Sequence, residues 1–150
     1  MTFREAGLND IPQMHFVRMS VKENVLSNPA LVTENDYKEY LTTRGKGWVC
    51  IIDNQVVGFS IVDLLKNNVW ALFIQPGYEG KAIGKTLLTM LLYWYFAHTK
   101  ETIWLGTAPN SRAEQFYRRF GWKETGKQSN GEIRFEMTEQ EWEQSKYNMQ

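Results

Sequence analysis

The run Ala71-Leu72-Phe73-Ile74-Gln75-Pro76 passes through Gly77-Tyr78-Glu79-Gly80-Lys81-Ala82-Ile83-Gly84 into an apolar stretch beyond Lys85. The apolar run reads as a buried strand and the later stretch as a helix, which makes the glycine-bearing segment a strand-to-helix turn. Such a turn suits a phosphate. The first N–H groups of a helix have no intrahelical partner, and the macrodipole favours an anion beside them. Glycine lets backbone approach a ligand without a Cβ in the way. Two common phosphate loops do not fit. A P-loop needs four residues between its first glycine and Gly-Lys-[Ser/Thr]. Here Gly80 stands one residue too close to Gly84-Lys85-Thr86 and Gly77 two too far. The G-x-G-x-x-G dinucleotide fingerprint is absent as well.

A second segment, Asn110-Ser111-Arg112-Ala113-Glu114-Gln115-Phe116-Tyr117-Arg118-Arg119-Phe120-Gly121-Trp122, reads as a helix on local grounds. Ser111 and Glu114 have capping-box spacing, and Ala113, Phe116, Tyr117 and Phe120 form one apolar stripe. Near the C-terminus Glu132, Arg134 and Glu136 alternate with Ile133, Phe135 and Met137. A period of two puts the charges on one face of a strand and the apolar residues on the other.

The first segment resembles R/Q-x-x-G-x-G/A, the pyrophosphate signature of the GNAT superfamily of N-acetyltransferases. Glu79 takes the Arg/Gln place, Ala82 the first glycine and Gly84 the last. The second resembles that family's N-x-x-A-x-x-F-Y-x-x-x-G-F motif, with Trp122 in the final place. A narrower set of small bacterial-type members shares the Glu79–Gly84 loop, the Thr107–Tyr117 helix start and the Gly131–Glu136 strand. The resemblance implies acetyl-CoA as co-substrate, with no metal. Backbone of Glu79, Gly80, Lys81, Ala82, Ile83, Gly84 and Lys85 would hold the pyrophosphate. The strand Leu72-Phe73-Ile74 would be splayed from the next one and meet the pantetheine arm along its exposed edge, Leu72 and Ile74 through main chain, and Asn110 and Phe116 would contact the coenzyme. Tyr117 would protonate the leaving thiolate. A phenol near pKa ~10 can serve a thiol near ~8.5 in that way. Ala82 is expected to be helical already, with negative φ. The Glu79 side chain is expected to turn outward, away from a diphosphate, and Lys81 and Lys85 either offset its charge or are solvated.

For the base, some relatives carry Glu at the end of the strand before the second motif, where this chain has Gly106. Glu23, Asn24, Asp63 and Glu132 are the remaining candidates, and a water relay or a partly neutral amine would need none. Glu23, Asn24, Trp70, Glu132 and Arg134 are the candidate acceptor residues. The charged face of the terminal strand is either solvated or borders the acceptor cleft, where the two carboxylates Glu132 and Glu136 would favour a cationic amine and Arg134 would pair with a substrate carboxylate or with its neighbours. Trp48 and Trp70 either wall the cleft or fill the core. His15 and His98 are read as surface or helix-end residues, and Cys50 as a core residue.

The elements that must hold these groups follow the order β-α-α-β-β-β-α-β-α-β-β along nearly the whole chain. Strands are expected at Thr2–Ala6, Trp48–Asp53, Val56–Asp63, Val69–Gln75, Thr102–Gly106, Trp122–Thr125 and Glu132–Met137. Helices are expected from Asn9 to Met19, Glu34 to Thr43, Ala82 to His98, after Ser111, and briefly after Thr138. Asn54-Gln55 would turn the first hairpin. That order matches the GNAT fold: an α/β (α+β) protein whose mixed, mostly antiparallel sheet is flanked by about four helices. At 150 residues one domain, 1–150, is expected. Seventeen basic residues balance seventeen acidic ones, which speaks against a nucleic-acid groove or an anionic membrane as partner. The longest apolar stretch, Leu87 to Ala97, is too short to span a bilayer. No leader is read at Met1, so a cytoplasmic protein is expected. The aromatics Tyr93 to Phe96 allow a homodimer or a buried helix. The reading is an N-acetyltransferase moving acetyl from acetyl-CoA to a primary amine, small-molecule or peptide, in a ternary complex. The alternative is a non-catalytic acyl-CoA-binding module of the same fold, a sensor or interaction domain.

Overall fold

The computed structural model describes residues 1–21 and 32–148. Glu23 and Asn24 lie outside the described residues. The strands are β1 (Thr2–Glu5), β2 (Gly45–Ile52), β3 (Gln55–Asp63), β4 (Asn68–Ile74), β5 (Ile103–Thr107), β6 (Lys123–Lys127) and β7 (Ile133–Met137). They form one seven-stranded sheet in the order β1-β2-β3-β4-β5-β7-β6. Every neighbouring pair is antiparallel except β4 with β5. The helices among the described residues are α1 (Ile11–Ser20), α2 (Glu34–Glu39), α3 (Ile83–His98), α4 (Arg112–Phe120) and α5 (Glu139–Asn148). The element order expected from the sequence is present, with α5 as a fifth helix.

Local chemistry explains most boundaries. Thr33 and Asp36 exchange both capping-box bonds at the start of α2, and Thr138 and Glu141 do the same at α5. Asp10, not Asn9, precedes α1. Its carboxylate is already engaged by the Arg4 guanidinium at 2.8 and 2.9 Å and by the Gly7 N–H, so a short 3-10 turn at Leu8–Asp10 comes first. The β2–β3 turn is Asp53-Asn54, one residue earlier than expected. Both residues have positive φ, 51° and 63°, the geometry whose twist matches a hairpin, and Asx residues tolerate it.

Each face of the sheet carries its own core. On one, Ile11, Met14 and Val17 of α1 and Tyr37 of α2 pack on Val49, Phe59, Ile61 and Ala71. On the other, Leu87, Leu91 and Tyr95 of α3, Tyr117 of α4 and Trp142 of α5 pack on Val57, Leu105 and Phe135. Of the aromatics Tyr93 to Phe96, Tyr95 is buried, Trp94 meets Trp48 edge-on, and Tyr93, half exposed, meets Trp142 edge-on. Cys50 is buried in the same core, where desolvation pushes its thiol up. Asp63 is removed from the candidate bases. It is buried, paired with the Arg44 guanidinium, and accepts the N–H groups of Leu65 and Lys66. Among the described residues no helix is long and apolar enough to cross a membrane.

The functional consequence of this topology lies between β4 and β5. They share one paired position, Asn68 with Trp104. That end is pinned: the Trp104 N–H donates to Asn67 O, its indole N–H to Lys66 O, and the Tyr95 hydroxyl to Asn67 Oδ1. Beyond it the strands part. Leu72, Phe73 and Ile74 are half-buried along an open gap, on a strand that its apolar run alone reads as buried and the family resemblance as splayed with an exposed edge.

Candidate functional site

The gap between β4 and β5 widens into a cleft of about 1260 Å³. Its floor is the free side of β4. The Gln75 N–H bonds to Val57 O of β3, and Phe73 is registered with Phe59. Antiparallel alternation then directs the main-chain groups of Phe73 and Gln75 towards β3 and those of Leu72 and Ile74 into the gap. An extended ligand can pair with that edge as an added strand does.

At the open end of β4 the chain turns through three positive-φ residues, Gly77 at 98°, Gly80 at 77° and Ala82 at 63°. The expectation of a helical Ala82 is thus corrected: it is left-handed, immediately before α3. A left-handed residue followed by helical ones turns successive N–H groups to one side, making a concave anion site in the backbone. The first bond of α3 runs from the Thr86 N–H to Ala82 O, and no side chain caps the helix. The N–H groups of Ile83, Gly84 and Lys85 therefore point free at the head of a 16-residue helix, where the macrodipole adds its positive end. A Cβ on Gly84 would meet Ile74 and Phe116 at 3.8 Å. This glycine faces across the gap between β4 and α4.

Alanine in the left-handed region costs about 1–2 kcal/mol, and glycine returns ~0.4–1 kcal/mol of that through the unfolded state. Ala82→Gly is therefore expected to raise the melting temperature by ~1–4 °C. Acetyl-CoA affinity, measured by calorimetry, should stay the same, because only main chain is offered at this position. A fall in melting temperature would mean that the exposed methyl group packs in a way its surroundings do not display.

Glu79 has a defined role that the sequence did not suggest. Its carboxylate accepts the Gly77 N–H at 2.7 Å and stands 3.6 Å from the Arg112 guanidinium. Hydrogen bonds from its own and the Gly77 main-chain N–H hold its carboxyl below the usual range. It folds back onto the turn instead of projecting outward. Lys85 lines the cleft, and Lys81 does not.

Helix α4 forms the far wall. Ser111 Oγ accepts the Glu114 N–H at 3.1 Å, but the Glu114 carboxylate reaches the Asn110 N–H, one residue before the cap, at 2.8 Å. The expected capping box is half-formed and shifted, since Arg118 also draws Glu114 with a 2.9 Å bond. Ala113 and Phe116 line the cleft, whereas Asn110 and Tyr117 are not in its lining. Tyr117 is 6% exposed, behind Phe116 and against Trp122 and Phe135. Burial, with the Glu132 charge adding to it, raises the pKa of its phenol. Its hydroxyl makes no hydrogen bond among the described residues.

The acceptor candidates divide. Glu132 and Trp70 line the cleft. Arg134 instead pairs with Glu136 at 2.9 Å and lies 4.3 Å over the Trp104 ring, covering the sheet face. Trp48 is core, 4% exposed. His15 bonds to the Tyr37 hydroxyl and His98 to Trp94 O, both away from the cleft. Glu132 follows a tight loop in which Asn130 accepts its N–H at 3.0 Å and donates to its carboxylate at 3.1 Å. A Cβ on Gly106 would stand 2.8 Å from Glu132 Oε1. The carboxylate missing from β5 thus has its space filled by one from the loop before β7.

Several cleft residues were not foreseen, among them Tyr78, Trp104, Arg112 and Arg119, and one of them is a buried cation. Arg18, at the end of α1, is 8% exposed and lines the cleft. Its signal in the sequence was a cation on the apolar stripe of α1, at i+7 from Ile11 and i+4 from Met14. Among the described residues no group of three or more His, Cys, Asp or Glu is placed to hold a metal.

The fold has many relatives among solved structures. The PaiA N-acetyltransferase of Thermoplasma acidophilum, solved in complex with coenzyme A, aligns with a TM-score of 0.74 at 14% identity, over 91% of this chain and 98% of that one. The ribosomal-protein-S18-alanine N-acetyltransferase of Escherichia coli aligns at 0.70 and 18%, over 91% and 90%. A GNAT-family acetyltransferase of Staphylococcus aureus Mu50 aligns at 0.74 and 20%, over 91% and 98%. No curated protein matches the chain in sequence. The family model of the Acetyltransferase (GNAT) family matches residues 14–122, a span that holds the splayed strand, the anion turn and the α4 wall. By that match the chain belongs to the GNAT acetyltransferase family.

Proposed function

We propose that residues 1–150 form a single acetyl-CoA-dependent N-acetyltransferase domain that acetylates a primary amine by direct attack in a ternary complex. The observation that carries the reading is the junction of two unsatisfied backbone features in one cleft. The uncapped head of α3 offers three N–H groups to a pyrophosphate, and the free edge of β4 offers Leu72 and Ile74 to an extended arm. Acetyl-CoA supplies the activated acyl group, and the chain supplies position and protons. A β4 N–H donates to the thioester oxygen as it gains charge. The amine nitrogen attacks the carbonyl carbon, a C–N bond forms, and the C–S bond breaks. Glu132 takes one proton from the ammonium group before attack and passes it to solvent, then takes the second as the C–N bond forms, and Tyr117 gives its proton to the sulfur and regains one from solvent.

The position of Glu132 supports catalysis over the non-catalytic module, whose main argument was the lack of an acid at Gly106. The Escherichia coli enzyme of the same fold, by its name, acts on an alanine of a ribosomal protein, which supports an amine as acceptor. The deciding experiment is acetyl-CoA turnover against an amine panel, read by release of CoA thiol. Release with at least one amine is the expected result. Tight acetyl-CoA binding without release from any amine would favour the sensor.

A further inference from the structure

The acceptor side of the cleft holds a buried cation with unused hydrogen bonds. The Arg18 guanidinium stacks 4.7 Å from the Phe73 ring centroid and 5.1 Å from that of Trp70, on β4. Its Nε and Nη1 are buried without a hydrogen-bond partner among the described residues. Burial lowers the pKa of the group, with Tyr37, Glu132 and Asp36 acting the other way. Tyr37 is no counter-ion: burial pushes its phenol up to about 12, so it stays neutral. Buried polar groups are almost always satisfied, and an uncompensated buried charge is destabilising. A planar fork held against two rings at the wall of a cleft matches a carboxylate, which it can bind through two parallel N–H···O bonds.

We propose that Arg18 is a carboxylate subsite, and that the amine acetylated here belongs to an amino acid or another small molecule carrying both groups. Arg18 takes the carboxylate, and Glu132, which lines the same cleft and lowers the cost of the Arg18 charge, faces the amine. This assignment rests on acetyl transfer as the reaction.

The test compares matched acids and amides: glycine and glycinamide, β-alanine and β-alaninamide, 4-aminobutyrate and its amide, phenylalanine and its amide. kcat/KM is measured by thiol release for wild type, Arg18→Met and Arg18→Lys. Losing one partner of a buried charge pair is expected to give an acid-over-amide preference of ~10²-fold in at least one wild-type pair. Arg18→Met should abolish that preference, and comparing its ratio with wild type cancels differences in amine basicity. Acetyl-CoA affinity should not change. The melting temperature should hold or rise, since an apolar side chain replaces an unpaired buried charge. Arg18→Lys keeps the charge but loses the fork, and should lower the preference by ~10-fold. It decides the matter if the Met variant does not fold. An undiminished preference in both variants, or equal use of acids and amides by wild type, overturns the subsite and leaves acetyl transfer standing. Calorimetry of the N-acetyl derivatives of the same acids and amides, with CoA present, separates the two readings. Acids that bind wild type but not Arg18→Met, with no thiol released from any amine, would keep the subsite and overturn the reaction. Neither binding nor discrimination would overturn the subsite.

Discussion

Tyr117→Phe is expected to lower kcat by ~10²-fold or more, the usual scale of general acid catalysis. The substitution keeps the ring and its contacts with Phe116, Trp122 and Phe135, and deletes only the hydroxyl. Because that hydroxyl makes no hydrogen bond among the described residues, the melting temperature should barely move. Acetyl-CoA affinity should hold too, since it depends on backbone at α3 and β4. The pH dependence has a defined sign. Burial and the Glu132 charge both raise the Tyr117 pKa above its ordinary ~10, so the proton needed by the thiolate stays available throughout the neutral and mildly alkaline range. Wild-type kcat should therefore show no alkaline fall below about pH 10 from loss of that proton. Steady-state kinetics that leave kcat of the variant close to wild type would remove Tyr117 as the acid. A large drop in melting temperature would assign the hydroxyl to the core instead.

What the sequence made legible is what short-range chemistry decides. Thr33 with Asp36 and Thr138 with Glu141 declared helix starts, because a capping box is completed within four residues. The alternation of Ile133, Phe135 and Met137 with charged residues declared a half-buried strand for the same reason. The features that make the cleft were hidden because they depend on distant partners. The splay of β4 from β5, which only the family resemblance implied, follows from one pinned position, Asn68 with Trp104, that no local pattern encodes. Ala82 adopts a conformation its side chain disfavours, so residue type argued for the wrong φ. Glu79 looked like a charge in the wrong place until the Gly77 N–H and Arg112 came into view beside it. Arg18 became a cleft residue only through Trp70 and Phe73, more than fifty residues away in the chain. Gly106 carried the subtlest message. Its missing side chain read as a missing base, while the structure uses the vacated space for the carboxylate of Glu132.

That exchange of position can be tested directly. At pH 7 an α-amine of pKa near ~8 is about one-tenth neutral, and a lysine-like amine of ~10.4 far less, so attack requires that a proton leave the ammonium group. Glu132→Gln keeps the shape of the side chain and its bonds to Asn130 but cannot take that proton. kcat/KM for the accepted amine should fall by ~10²-fold at neutral pH. The deficit should shrink as pH rises towards the amine pKa, because solvent then delivers the neutral nucleophile. Acetyl-CoA affinity should be unchanged. A carboxylate returned from the other strand supplies the stronger test. In Gly106→Glu the new Cβ would stand 2.8 Å from Glu132 Oε1, so in that single variant the end of the Glu132 side chain must move aside. Combined with Glu132→Ala the same position is open, and Gly106→Glu should recover much of the activity that Glu132→Ala alone loses. A deficit in Glu132→Gln that is constant with pH, together with no recovery in the double variant, would return Glu132 to binding the acceptor and leave deprotonation to water.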